Sequence, residues 1–181
     1  MAALNPAPIR LAQTIGITTA GILGGMNLTI SLYQIPSLLL APASLALRQF
    51  EQIYTLGKKV GPSLSLVSFG SFIFLAYDSY MRFADTTLVY SPLKDQWKGY
   101  VVAAGLVVGI MPYTVVLMAP GVNKKLLEGA ERATRGKKED GVEEMGVEEV
   151  RKTLVKWARF NYGRAVLAVS ATAVATWTAM A

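Results

Sequence analysis

The motif Trp157-x3-Asn161-x2-Arg164 puts an indole, an amide and a guanidinium on one helix face, because residues three and four apart are neighbours there. An arginine does not deprotonate in a protein. Drawn into an apolar setting, it needs a carboxylate, a dipole cluster or an anionic ligand. Arg164 is therefore a candidate for holding an anion, with Asn161 beside it. The competing reading is that Arg164 snorkels back to lipid headgroups, with Trp157 as an interface anchor. Asn27, Ser31 and Gln34 share a second face, either as hydrogen-bonding glue between helices or as the lining of a polar pocket. Two more clusters accompany them. One is Arg48-Gln-Phe-Glu51-Gln52-Ile-Tyr54-Thr-Leu-Gly57. The other is Met111-Pro-Tyr113-Thr114, followed by Pro120 and Asn123-Lys-Lys-Leu-Leu127. Pro112 breaks a hydrogen-bond ladder and frees a carbonyl, so its segment is either a simple kink or a re-entrant pocket lining, with Tyr113 and Thr114 as the nearest polar groups. No carboxylate falls inside the apolar spans, Asp78 marking the exit of the second, which leaves interfacial Glu51 or an anionic ligand as the expected partner of Arg164.

What is missing narrows the chemistry. The 181 residues contain no cysteine and no histidine. Disulfides, Fe–S clusters and thiolate-bound zinc or haem are excluded. So are facial-triad iron, the usual copper site, a histidine haem ligand and a Ser-His-Asp triad. Catalysis must run on carboxylates, Tyr, Lys, Arg, amides and hydroxyls, or on a cofactor held without His or Cys. No Gly-rich phosphate loop follows a strand, which argues against nucleotide use.

These residues must be positioned by a membrane fold. The chain is 52% hydrophobic and 17% charged, with mean hydropathy +0.38, whereas soluble domains are about a quarter charged. Apolar stretches at about 11–40, 62–78, 99–119 and 157–180 approach the roughly 20 residues a spanning helix needs. The expected fold is all-α: an integral membrane four-helix bundle in a single domain over 1–181. The first stretch exceeds the roughly 7–15-residue core of a signal peptide and ends at Pro42, so it reads as a span rather than a cleaved leader. Gly21 and Gly25 form a GxxxG step that permits close helix approach. Ala43 to Leu56 reads as an interfacial helix, with Pro62 in the first turn of the second span.

The net charge of +6 is a topology signal. The segments 43–61 and 120–156 carry twelve Lys and Arg, against four on the opposite side. The positive-inside rule then places both basic loops in the cytosol and both termini on the lumenal side, most simply in the endoplasmic reticulum or a related endomembrane. No nucleic-acid partner is expected. Within the second loop, Asn123 to about Arg135 reads as a short helix and 136–146 as a charged, mobile linker. That linker holds a local duplication, Gly141-Val-Glu-Glu-Met and Gly146-Val-Glu-Glu-Val. A helix from about Val147 runs into the fourth span.

Taken in order, these pieces resemble the fungal anthrone oxygenases: a small-residue first span ending in Pro36, then Gln49-x2-Gln52-x-Tyr54-x2-Gly57 and Pro62, then Pro112-Tyr-Thr114 with Pro120-x2-Asn123-Lys-Lys-Leu, then Trp157-x3-Asn161-x2-Arg164. Phe50 stands where many relatives have Trp, and Asn161 where some broader relatives have His. The resemblance implies a monooxygenase of anthraquinone biosynthesis in polyketide secondary metabolism. It would take an emodin-anthrone-type substrate to the quinone with O2 as co-substrate and no metal or other cofactor. An anthrone carbon is acidic, and its anion can itself reduce O2. The residues implied as catalytic are Arg164 for the anion, Asn161 for orientation, and Glu51 or Tyr54 as base, the latter where a nearby cation favours its phenolate. Gln52, Asn123, Asn27, Tyr113, Thr114 and Trp157 are the implied substrate contacts. The partners are a hydrophobic aromatic polyketide and the bilayer, and a homo-oligomer is compatible with the small-residue spans. A non-catalytic scaffold of such a pathway is the alternative. A transporter is a weaker one, because no carboxylate lies mid-membrane to couple ions.

Overall fold

A computed structural model of the chain describes residues 7–84, 96–135 and 145–180. Among them every regular element is helical, so the all-α class holds. The elements are α1 (Ala7–Thr29), a π-helical turn (Ile30–Gln34), α2 (Ile35–Leu38), α3 (Ala43–Ala84), α4 (Gln96–Tyr113), a π-helical stretch (Thr114–Asn123), α5 (Lys124–Arg135) and α6 (Val147–Met180). The duplicated linker falls largely outside the described residues. Among the described residues three stretches are long and apolar enough to cross a membrane: Ala7–Leu38, Ala43–Arg82 and Gln96–Thr134. The fourth, α6, has the length at 34 residues, but Arg164 opens its apolar part, and Ser170, Thr172, Thr176 and Thr178 interrupt it.

Prolines set the helix punctuation. The Pro42 carbonyl accepts from the amides of Leu45 and Ala46 at 3.0 and 2.9 Å, which starts α3. The expected break at Pro62 does not occur. Instead α3 runs unbroken for 42 residues with Pro62 inside it, and the interfacial helix and second span are one element. In an α-helix a proline ring crowds the carbonyl four residues back. Gly61, just before Pro62, is buried and adds no side chain of its own to that crowding. Pro112 likewise lies inside α4, so its segment is helical rather than re-entrant. Pro120 lies inside the second π-helical segment, and Pro36 follows the first by two residues, in the opening turn of α2; a wider turn relieves the same clash. At α6 the Gly146 carbonyl caps the amides of Glu149 and Val150 at 3.0 Å. Glu148 and Glu149 in that first turn suit the positive end of the helix dipole.

The chain divides into two compact units. The first comprises described residues within 1–24, 62–110 and 166–181 and is closed by small residues. Ala168, Ala171 and Ala175 of α6 are fully buried. A Cβ on Gly24 would lie 2.9 Å from Val169 Cγ2, and one on Gly16 2.8 Å from Phe72 Cε1. Polar pairs fix the register: Thr19 with Ser68 at 2.7 Å, and Ser65 donating to the Val107 carbonyl at 2.8 Å. The close approach expected at Gly21 and Gly25 falls at Gly16 and Gly24 instead. Nothing lies within 4 Å of a Cβ on Gly25, and Gly21 has only Thr172, at 3.8 Å. The adjacent glycines should therefore respond with opposite sign in a thermal unfolding series. Gly24→Ala should lose about 1–3 kcal/mol by overpacking. Gly25→Ala should gain up to about 1 kcal/mol of helix propensity.

The second unit, 25–61 with 111–165, carries the candidate site. Its core is built on Phe50, Met118, Leu126, Leu154 and Trp157. Amphipathic α5 buries Leu126 and Ala130 while exposing Lys124, Lys125 and Glu128. Lys125 is held to Glu149 of α6 at 2.7 Å.

Candidate active site

Asn161 is the hub of the polar cluster in the second unit. It is fully buried on α6. Its Nδ2 donates to the Asn27 carbonyl and to Ser31 Oγ, both at 2.9 Å. An amide nitrogen has two hydrogens, so both are used. The Oδ1 of Asn161 accepts from Arg164 Nη1 at 3.1 Å. The amide is therefore locked, and its remaining task is to aim the guanidinium.

Arg164 is half-buried, and its Nε is buried with no hydrogen-bond partner. Among the described residues no carboxylate pairs with it, Glu51 included. The phenols of Tyr54 and Tyr113 are within electrostatic range of the guanidinium. A Cβ on buried Gly61 would stand 3.5 Å from Nη2, so α3 approaches the charge with bare backbone. An uncompensated cation with an orphaned donor is costly to keep, and an anion bound there would pair with it.

Aromatic rings fix the neighbours. Phe50 meets Trp157 edge-to-face at 5.1 Å and stacks with Tyr54 at 6.1 Å between centroids. Trp157 Nε1 donates to buried Asn123 Oδ1 at 2.7 Å. The Tyr113 hydroxyl donates to the Phe160 carbonyl at 3.1 Å. It occupies the space a side chain on Gly163 would take. The Tyr54 hydroxyl makes no hydrogen bond among the described residues, which leaves it the free phenol beside the cation.

Two clefts lie in the same unit, and none of these side chains lines either. One, of about 510 Å³, is lined by Arg48, Glu51, Gln52, Thr55, Leu56 and Thr134. Neither Arg48 nor Glu51 makes an ion pair there among the described residues, and Arg48 Nε is buried and unpartnered. The other, of about 300 Å³, has apolar walls from Met26, Ile30, Ile53 and Val60, with Leu56 shared by both clefts.

The structure thus gathers Arg164, Asn161, Asn27, Tyr54 and Tyr113, and pairs Trp157 with Asn123. Glu51 and Gln52 fall in the larger cleft instead. Thr114 is half-buried at the start of the π-helical stretch. Gln34 leaves the face expected for it: Asn27 and Ser31 are buried, while Gln34 is exposed and lines the smaller cleft. The π turn that holds Ser31 and Gln34, closed by the Ile35 amide on the Ile30 carbonyl, takes one residue more to come round. Gly61 and Gly163 were not legible as site residues. The available signals were their places beside Pro62 and between Asn161 and Arg164.

The family model described as anthrone oxygenase matches residues 50–174, which include Tyr54, Asn161 and Arg164. Anthrone oxygenase AgnL2 of Paecilomyces divaricatus is 29% identical over 86% of this chain and 87% of its own length. Anthrone oxygenase tpcL of Aspergillus fumigatus is 26% identical over 88% of each. No solved structure matches the chain.

Proposed function

This chain belongs to the anthrone oxygenase family, and on that premise we propose that it converts an anthrone of the emodin-anthrone type to the anthraquinone, with O2 as co-substrate. The balance is anthrone plus O2 to anthraquinone plus water. A proton leaves the methylene carbon between the two aromatic rings, giving the anthrolate. The anthrolate passes one electron to O2, and the two radicals combine at that carbon to give a peroxide anion, which takes the proton back to become the hydroperoxide. Loss of the remaining C–H proton and of hydroxide from the peroxide forms the second carbonyl. The substrate supplies the electrons, so the protein must favour the anion and carry the proton.

The observation that carries this reading is the unpaired guanidinium of Arg164, locked by Asn161. Anion stabilisation of this kind acts most strongly where water is excluded. We assign the proton to Tyr54, the free phenol beside the cation. Glu51 lies one helical turn earlier, in the cleft with Arg48, and would exchange that proton with solvent. Asn161 acts as a positioning residue, because both its donors are committed. A flat apolar substrate would partition into the bilayer and reach the protein from there. The basic segments would face the cytosol, in an endomembrane of polyketide metabolism.

The assay is direct. Detergent-purified protein, treated with chelator and given an anthrone under oxygen, should form quinone faster than buffer does. A rate equal to buffer overturns the oxygenase reading and favours a scaffold. Activity lost on chelation and restored by a metal overturns only cofactor independence, which rests on a sequence without His or Cys.

A further inference from the structure

Gly57 lies in the interior of α3, where a glycine is a poor helix former. Close packing does not call for it: nothing lies within 4 Å of a Cβ placed there. The space it leaves open is the smaller cleft, whose wall it forms. We propose that this cleft seats the flat ring system of the substrate, entering from the bilayer, and that Gly57 sets the width it admits. The proposal rests on the anthrone reading above.

Four observations favour a planar aromatic with acidic oxygens as the occupant. The volume, about 300 Å³, falls at the lower end of small-molecule sites, about 300–1,000 Å³. The walls are apolar, but Gln34 and Thr29 bring an amide and a hydroxyl to the same cleft, suited to phenol or carbonyl oxygens. Through the shared Leu56, 66% exposed, the cleft adjoins the one that holds Arg48 with its unpartnered Nε. A cation there complements an acidic substituent on the ring. The walls also come from the segments that build the Arg164 cluster. Met26 and Ile30 flank Asn27, while Ile53 and Gly57 flank Tyr54.

The test uses full-length protein in detergent, with Gly57→Ala, Gly57→Leu and the control Gly70→Ala, whose Cβ is also in open space but which lines neither cleft. Two quantities are read: binding of anthraquinone itself by absorbance titration, and KM with kcat for an anthrone. Gly57→Ala and Gly70→Ala should both raise the unfolding temperature, and only Gly57→Ala should weaken binding. Gly57→Leu should weaken binding and raise KM by about tenfold or more, with kcat little changed. Binding and KM unmoved in Gly57→Leu overturn the proposal and leave the cleft to a lipid acyl chain. No binding by the wild type overturns it as well. Binding lost in Gly57→Leu, without turnover by the wild type, sinks the oxygenase reading while the ring site stands.

Discussion

Arg164→Ala is expected to lower kcat for anthrone oxidation by about 10²–10³-fold, the usual loss when one anion-stabilising donor is removed from an enclosed site. The fold should tolerate it. Alanine removes an Nε that has no partner, which relieves the protein, and it leaves Asn161 Oδ1 without its donor, which costs it. These effects oppose, so the unfolding temperature should move little while activity collapses. Asn161→Asp makes the companion case. The carboxylate would pair with Arg164 and cancel its charge, and the donors to the Asn27 carbonyl and Ser31 would be gone. Activity should fall about as far although the arginine remains. Loss in Arg164→Ala with full activity in Asn161→Asp would mean the guanidinium acts by shape and not by charge. Full activity in both would remove Arg164 from the mechanism.

Tyr54→Phe is the second large effect, a fall of about 10²–10⁴ in kcat, the range typical of a positioned acid–base group. The change is conservative for packing, since the stack with Phe50 needs only the ring. The hydroxyl it deletes has no hydrogen bond to lose among the described residues. Stability and KM should therefore hold while kcat drops. Glu51→Gln should cost much less, because Glu51 faces the cleft of Arg48 and makes no ion pair with Arg164. The opposite ranking, with Glu51→Gln inactive and Tyr54→Phe normal, moves the base to Glu51 and leaves the anion site intact.

Much of the local structure was legible, since it depends on period and composition. The apolar runs became helices, α6 starts at Val147, and Trp157, Asn161 and Arg164 form a buried to half-buried row. What pairs with what was not legible. Asn161 meets Asn27, 134 positions away, and the hydrophobic pattern carries no information about which polar faces meet. Pro62 misled because its preference for a first turn is statistical, while a long helix flanked by packing can carry a proline through its interior. The GxxxG step misled for a related reason: it reports that an approach is allowed, and the contact went to Gly24, one position earlier than Gly25. Gly57 reads as an ordinary helix glycine until the empty space at its Cα is seen.

The π turn at Ile30–Gln34 acts as a phase shifter along the chain. Asn27 before it and Ser31 near its start are keyed to Asn161, while Gln34 at its end reaches the open cleft, so one continuous helical path serves two angular settings. Removing any single residue from those five would restore the regular register. The upstream helix would then swing about 100° against the downstream one, carrying either Asn27 away from Asn161 or Gln34 out of its cleft. In this stretch the number of residues matters more than their identity. A substitution at Leu32 or Tyr33, both exposed, changes one side chain, whereas a deletion there mis-sets one of the two sites.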